Sequence, residues 1–398
     1  MSTLREDSLN YHANPSPGKL AIAVTKPLDN QRDLTLAYSP GVAEPVLEIA
    51  KNPSDAFKYT SKSNLVGIIS NGTAILGLGN LGALASKPVM EGKAALFKLL
   101  ANVDAFDIEI DETDPDKFIA IVKAISPTFG AINLEDIKAP ECFMIEDGLQ
   151  DIGIPVIHDD QHGTAIVLAA GLLNACKIQN IEISSAKIVV YGAGAAAIAS
   201  IKLLYELGFS RNNIFMFDSK GLITRDRTDL NTHKLAVAVT SSDISFAEAM
   251  QGANILIGLA GAAMPEPETA LNNMQKNPIT FLLSNPTPGI PVELVQKIRP
   301  DALIATGRSD YPNQINNALC FPYLFKGALA AKAKKITLAM KLAAVHAIKD
   351  IAREEIPANI KAEYKISEHT KFGKNYIVPK PTDKRLDQYV SKAVAEAK

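Results

Sequence analysis

The sequence contains no tryptophan and only three cysteines among its 398 residues. The cysteines, Cys142, Cys176 and Cys320, share no metal-binding spacing and are odd in number. A disulfide framework is therefore not expected, and reduced thiols favour a cytoplasmic protein.

Long apolar runs, a signal-like N-terminus and an excess of one charge are also missing. The longest apolar stretches, such as AIVLAAGLLNAC, are too short to span a bilayer. The formal net charge is -2, and no basic run is interleaved with aromatic residues. This composition predicts neither a nucleic-acid partner nor a membrane partner, and is ordinary for a soluble globular protein.

What the chain does contain is an alternation of strand-like and helical segments in two blocks. The strand-like segments of the first block are LVGIIS, AILGLG, AFDIEID, GAINLED and IPVIHDD. Those of the second block are KIVVYG, NIFMFD, ILIGLA, TFLLSNP and ALIATG. We therefore predict an α/β protein with a first domain over residues 1–160, a doubly wound Rossmann-type nucleotide domain over 161–330, and a helical C-terminal extension over 331–398 that packs on it.

Two loops show the glycine spacing of a dinucleotide fingerprint, at residues 77–82 and 192–197. The second loop follows a strand-like run and opens an unbroken helical pattern, so its helix dipole points at the glycines. Asp218 ends the next strand, where an acid binds a ribose hydroxyl pair and favours NAD. Nearby Lys220 could instead meet a 2′-phosphate, which leaves NADP open. The predicted nucleotide-binding residues are Gly192, Gly194, Ala195, Ala196, Ala197 and Asp218.

The first glycine loop lacks such a helix, because the helical pattern after it restarts at Pro88. That start is about two turns too late to point a dipole at the glycines. We interpret the 77–82 loop as a tight turn that brings backbone close to something small.

Lys93 lies on an apolar face of the helical pattern after Pro88. Burial would lower its pKa and make it a general base. The alternative is a lysine that extends along the edge of the core, with its ammonium in water. The pattern alone favours neither.

Carboxylates form two groups in the first block. Asp107, Glu109 and Asp111 alternate along one strand about 7 Å apart, which is wide for one ion and favours a solvated face or a charged edge. The second group follows two strand ends, where ligands bind in α/β sheets. Its members predict a Mg²⁺ or Mn²⁺ site and are Glu135, Asp136 and Asp160.

Several polar residues allow both a functional and an ordinary interpretation. His158 and His162 have the spacing of a zinc pair, but the first ends a strand, which makes that interpretation weak. Tyr38 precedes a Pro-Gly turn, and Asn285 precedes a proline at a strand end, where turn chemistry is common.

Taken together, these segments resemble the malic enzymes over nearly the whole chain. The resemblance rests on YSPGVAEP, GTAILGLGNLG, PVMEGKAALFK, INLEDIKAPECF, IPVIHDDQHGTA, GAGAAAIA, LSNPTP and NNALCFP, in that order. It implies an N-terminal malic domain, an NAD(P)-binding domain and conversion of L-malate to pyruvate and CO₂. By the same resemblance, Tyr38 is the general acid, Lys93 the general base, the second carboxylate group the metal site, and Asn285 and Asn317 contact substrate and nicotinamide ribose.

Two positions depart from the family pattern. Ala74 stands where larger members carry a substrate-binding arginine, so backbone N–H groups of the 77–82 loop are expected to take that carboxylate. Tyr323 stands where a small residue is common. The resemblance further implies a homodimer, the short bacterial type, and no fused acyltransferase-like domain.

Three alternatives remain open from the sequence. A malolactic-type enzyme would retain its cofactor and release lactate, and a non-catalytic NAD-binding sensor would not need Lys93 or the acids. A metal-free 2-hydroxyacid dehydrogenase would survive chelation.

Overall fold

The computed structural model describes residues 3–75, 78–240, 244–284 and 287–398. Gly77 of the first glycine loop and Asn285 lie outside the described residues. None of the described helices combines the length and hydrophobicity of a membrane span.

Helices and strands alternate along most of the chain, as the sequence predicts. The helices are α1 (Leu4–Ala13), α2 (Gln31–Ala37), α3 (Ala43–Lys51), α4 (Ala56–Tyr59), α5 (Ala83–Ala101), α6 (Pro115–Ile125), α7 (Glu141–Gly148), α8 (Asp159–Gln179), α9 (Ala195–Glu206), α10 (Thr232–Leu235), α11 (Phe246–Met250), α12 (Pro267–Asn272), α13 (Val292–Ile298), α14 (Phe321–Ala330), α15 (Leu338–Ile351), α16 (Ala358–Glu363) and α17 (Arg385–Glu396). The strands are β1 (Leu65–Ser70), β2 (Asp104–Glu109), β3 (Ala131–Leu134), β4 (Val156–His158), β5 (Ile188–Tyr191), β6 (Ile214–Asp218), β7 (Gly221–Leu222), β8 (Ile255–Gly258), β9 (Ile279–Leu282) and β10 (Leu303–Thr306).

The first sheet contains four parallel strands in the order β2-β1-β3-β4. Strands β1, β3 and β4 are almost entirely buried, because helices cover a parallel sheet on both faces. All four carboxyl ends lie at one edge of the sheet, and the polar residues that follow β3 and β4 meet there.

The second sheet contains six strands in the order β10-β9-β8-β5-β6-β7, and only β7 is antiparallel. The strand order reverses between β5 and β8, which is where doubly wound sheets bind ligands. The predicted Rossmann-type fold is confirmed, with the 192–197 loop at the end of β5.

Helix α8 connects the two sheets. It begins directly after β4 and runs for 21 residues, most of them buried on every side. A helix that is apolar all round belongs in a core. The predicted domain boundary at residues 160 and 161 therefore falls inside a shared helix, while α15 packs against α8 from the C-terminal extension.

Pro88 does not start the helix that follows the first glycine loop. Helix α5 begins at Ala83 and includes Pro88, so the predicted later start was wrong. Proline removes one backbone donor from a helix, and the loss is tolerated here at an exposed position. The Pro88 carbonyl accepts a hydrogen bond from Lys19 Nζ at 2.9 Å.

Residues 3–65 contain no buried side chain, although the segment contains several helices. We call residues 3–51 the N-terminal arm. More than half the surface of each of these apolar arm residues is exposed: Leu4, Leu9, Tyr11, Ile22, Val24, Leu36, Tyr38, Val46 and Leu47. So many exposed apolar side chains in one segment are typical of a protein–protein contact.

Candidate active site

The centre of the site is Lys93, which is buried, with only 7% of its surface exposed. Helix α5 brings it to the carboxyl ends of β3 and β4. Its Nζ lies 2.8 Å from Glu135 Oε1, contacts the carboxylate of Asp159, and lies 4.0 Å from the centre of the Phe321 ring. Lys93 is thus buried among acids, and the interpretation as an exposed lysine at the core edge was wrong.

The pKa of Lys93 is raised, whereas the sequence predicted a lowered pKa. Burial lowers the pKa of the ammonium, but the charges of Asp159, Glu135 and Asp160 outweigh burial. Helical periodicity shows only the neighbours on α5, which are apolar. The carboxylates lie just after β3 (Glu135) and at the start of α8 (Asp159 and Asp160), so only the fold reveals them.

The three acids predicted to bind a metal do meet in space. Glu135, Asp136 and Asp160 each contribute one oxygen, and these oxygens lie within 4.8 Å of one another. The backbone N–H of Asp136 donates to Asp160 Oδ2 at 2.9 Å, which links the turn after β3 to the first turn of α8. Carboxylate oxygens at this spacing suit a hard divalent cation such as Mg²⁺ or Mn²⁺.

The electrostatics of the cluster also fit a divalent cation. Burial raises the pKa of Glu135, Asp159 and Asp160, in the case of Asp159 to about 7. The charges of Asp159, Glu135 and Asp160 act on the ammonium of Lys93, and Asp136 lies beside Glu135 and Asp160. Buried carboxylates are costly unless cations compensate them, so the cluster favours binding of a divalent ion.

Asp159 is a site residue that the sequence analysis missed. Its side chain is buried, contacts Lys93, and accepts a hydrogen bond from Asn317 Nδ2 at 2.6 Å. The available signal was the Asp159–Asp160 pair at the start of a helix. A sequence cannot show that two consecutive acids point to different partners, since that depends on the rotation of α8.

The second glycine loop has the geometry that a phosphate requires. Gly192 has φ 112°, and a Cβ atom there would lie 2.8 Å from the backbone nitrogen of Ala260. Around Gly194, a Cβ atom would meet no described atom within 4 Å, which leaves room for a ligand. Helix α9 begins at Ala195, and Ala197 packs in the core beneath it.

Asp218 ends β6, but its carboxylate already forms ion pairs with two basic side chains. Arg227 donates to both oxygens at 2.9 and 3.1 Å, and Lys234 Nζ lies 2.6 Å from Oδ2. Burial raises the pKa of Asp218, but the hydrogen bonds from Arg227 and Lys234 lower it to about 2. Lys220, which bonds Asp229, adds a further positive charge nearby.

The first glycine loop is joined to the acidic cluster through backbone atoms. The N–H of Ala74 donates to the Asp136 carbonyl at 2.9 Å, and the N–H of Gly82 donates to the Gly72 carbonyl at 3.1 Å. The position of the missing arginine therefore borders the proposed metal ligands.

Other predicted residues lie away from the cluster or act differently. Tyr38 is 77% exposed, and no hydrogen bond of its hydroxyl is present among the described residues. Asp107 is buried and pairs with Lys87 at 2.6 Å, so the interpretation as a solvated face was wrong at this residue. Tyr323 is buried, and its hydroxyl donates to the Pro381 carbonyl.

A Rossmann-type sheet beside a buried lysine and a carboxylate cluster defines a dinucleotide-dependent oxidoreductase. Residues 17–150 match the family described as malic enzyme, N-terminal domain, and residues 161–366 match malic enzyme, NAD binding domain. The chain therefore belongs to the malic enzyme family.

Individual relatives agree with this assignment. The chain is 52% identical to the NADP-dependent malic enzyme of Halomonas elongata, over 99% of this chain and 93% of that one. It is 51% identical to the NAD-dependent malic enzyme of Rhizobium meliloti, over 98% of this chain but about half (51%) of that longer protein. The crystal structure of malic enzyme from Pyrococcus horikoshii superimposes with a TM-score of 0.89 at 42% identity, covering 99% of this chain and 90% of that one.

Because Gly163 has no side chain, the carboxylate of Asp159 can lie directly against its backbone. A Cβ atom at Gly163 would lie 1.9 Å from Asp159 Oδ1 and 3.1 Å from Asn317 Cβ. We predict that Gly163→Ala displaces Asp159 and lowers kcat at least about tenfold, because a misplacement of about 1 Å at a site can cost about 10²-fold. Gly92→Ala is the matched control, since its Cβ would meet no described atom within 4 Å in a helix that alanine favours. Steady-state kinetics of both variants check this, and equal activity of the two would contradict it.

Proposed function

We propose that this protein catalyses the oxidative decarboxylation of L-malate to pyruvate and CO₂, with a divalent cation and a nicotinamide nucleotide. The observation that carries the proposal is the contact of Lys93 with Glu135 and Asp159, beside the three-carboxylate group. Glu135, Asp136 and Asp160 would hold the cation, and the 192–197 loop the pyrophosphate. When bound, the cation supplies a Lewis acid and the nicotinamide a hydride acceptor.

Lys93 is the base in this proposal, and it accepts the proton of the substrate hydroxyl. It must first lose its own proton, and Asp159 touches its Nζ with a pKa raised to about 7 by burial. A cation held by these carboxylates would offset the negative charge that keeps Lys93 protonated. The surrounding acids hold the ammonium of Lys93 protonated, since they raise its pKa; in the proposal Asp159, which contacts Nζ, is the group that takes this proton, and Asn317 holds Asp159 in place.

Tyr38 is the general acid that protonates C3 of the three-carbon enolate, and we assign it to the site of a partner subunit in a homodimer. The N-terminal arm that carries Tyr38 supports this assignment, because it has no buried side chain and many exposed apolar ones. A second copy that covers the arm would bury these side chains and bring the tyrosine to a neighbouring Lys93.

NADP is the proposed nucleotide, with NAD as a weaker substrate. The argument for NAD rested on repulsion between Asp218 and a 2′-phosphate. That carboxylate is neutralised by Arg227 and Lys234, and three cations (with Lys220) face two carboxylates (with Asp229) in this cluster. The net positive charge suits a phosphate.

The location proposed for the protein is the cytoplasm. The three cysteines are all buried and unpaired, which suits a reducing compartment.

We predict that Lys93→Ala lowers kcat for malate about 10²-fold or more, since a positioned proton acceptor contributes about 10²–10⁴-fold. Lys98→Ala is the matched control, because Lys98 lies in the same helix and pairs only with Asp104 among the described residues. EDTA should abolish the activity, and Mn²⁺ should restore it. The assay measures free NADPH and CO₂ formed from malate. NADPH formation that persists in EDTA, or lactate as the product, would refute the proposal.

For the nucleotide, we predict that Lys234→Ala raises the KM for NADP at least about tenfold and changes the KM for NAD less than about threefold. The reason is that the substitution removes the ammonium of Lys234, a positive charge that would contact the 2′-phosphate of NADP and has no counterpart to contact in NAD. Arg211→Ala is the control, since Arg211 precedes β6 at the end opposite Asp218. Equal effects on both nucleotides would count against the assignment.

For the dimer, we predict that mixing Tyr38→Phe with Lys93→Ala subunits restores activity. A mixed dimer has one complete site if Tyr38 acts in the partner's site, so full subunit exchange gives about a quarter of wild-type activity. The control is each variant taken alone through the same subunit-exchange procedure. If Tyr38 served its own subunit, the mixture would stay as inactive as its components.

A further inference from the structure

The first turn of α8 carries two acids of the site, but its own side chains do not cap it. The N-cap residue is His158, which makes no side-chain capping bond. Asp159 is directed to Lys93, and Asp160 accepts from the N–H of Asp136. The carboxylates that could stabilise the first N–H groups of this helix are therefore committed to the site.

Glu146, a residue of the neighbouring helix α7, forms hydrogen bonds with this first turn of α8. Its Oε1 accepts from the backbone N–H of His158 at 3.1 Å, and its Oε2 lies 3.1 Å from His162 Nε2. Because His158 precedes α8 and His162 is four residues further on, one carboxylate holds both ends of the first turn.

Lys341 extends the contact to the C-terminal extension. Its Nζ, from the first turn of α15, lies 3.0 Å from His162 Nδ1. Lysine can only donate, so Nδ1 accepts and Nε2–H donates to Glu146. The order of donors is thus Lys341 to His162 to Glu146, across three helices.

We propose that Glu146, His162 and Lys341 form a positioning clamp, the α8 clamp, that fixes Asp160 and Asp159 for cation binding. The inference rests on the proposed function, because it presumes the metal site of Glu135, Asp136 and Asp160. The clamp touches neither substrate nor cation and acts only through the backbone and first turn of α8.

A purely structural role would be served better by apolar residues. Burying an ionised carboxylate costs free energy that packed hydrophobic side chains avoid. In this proposal Glu146 offsets that cost by fixing the first turn of α8 through its bonds to His158 and His162. Glu146 and Lys341 also border a cavity of about 290 Å³, so truncation there enlarges an existing space instead of opening a void in the core.

The test is Mn²⁺ affinity of the nucleotide-free enzyme, measured by calorimetric titration. Glu146→Ala should raise the Kd for Mn²⁺ about 10–100-fold, as loss of a residue that orients metal ligands typically does. Glu146→Gln, which keeps an acceptor for the N–H of His158, should raise it less, by at least about threefold. Asp147→Ala is the matched control, because Asp147 is the next residue of α7 and is exposed. Binding of NADP, followed by fluorescence, should change less than about twofold in all variants.

The outcomes separate the clamp from the function it rests on. If wild-type enzyme does not bind Mn²⁺, or Asp160→Asn binds it equally well, the proposed metal site fails. If the wild type binds and Glu146→Ala matches it, the clamp fails. Equal weakening of Mn²⁺ and NADP binding would show a folding role and would also overturn the clamp. Should Glu146→Ala not fold, Glu146→Gln decides, and an unchanged Kd for Mn²⁺ would contradict the proposal.

Discussion

The site depends on one electrostatic constraint, the grouping of buried and partly buried carboxylates next to the buried ammonium of Lys93. Glu135 and Asp136 follow β3, and Asp159 and Asp160 begin α8 directly after the adjacent strand β4. Helix α5 supplies Lys93. Such a group is stable only if cations and hydrogen bonds compensate its charge. The same need explains why the cluster would bind a divalent cation tightly.

The sequence predicted the fold well because its signals were local. Apolar runs such as IVVY and ILIG are long enough to be buried strands, and both lie in the predicted parallel sheet. The predicted helix start at Pro88 was wrong, because the preference of proline for the first turn of a helix is only a statistical tendency. Pro88 is exposed, and α5 continues through it from Ala83 to Ala101.

The sequence predicted only part of the site, because some of its features depend on contacts that local sequence patterns do not show. Strand ends indicated where Glu135, Asp136 and Asp160 would meet, since parallel strands share one edge. Neither the role of Asp159 nor the direction of the Lys93 pKa shift could be predicted, because both depend on contacts between segments far apart in sequence. Likewise, Asp218 alone favoured NAD, whereas Arg227 and Lys234 reverse the local charge only once β6 and the following segment fold together.

The claim on which the account depends is that Glu135, Asp136 and Asp160 bind one divalent cation beside Lys93. The most direct measurement is the anomalous scattering of Mn²⁺ in crystals of the protein. The account predicts one strong peak within bonding distance of an oxygen of each of the three acids, and its loss in Asp160→Asn. A peak at another group of residues, or none at saturating Mn²⁺, would contradict it.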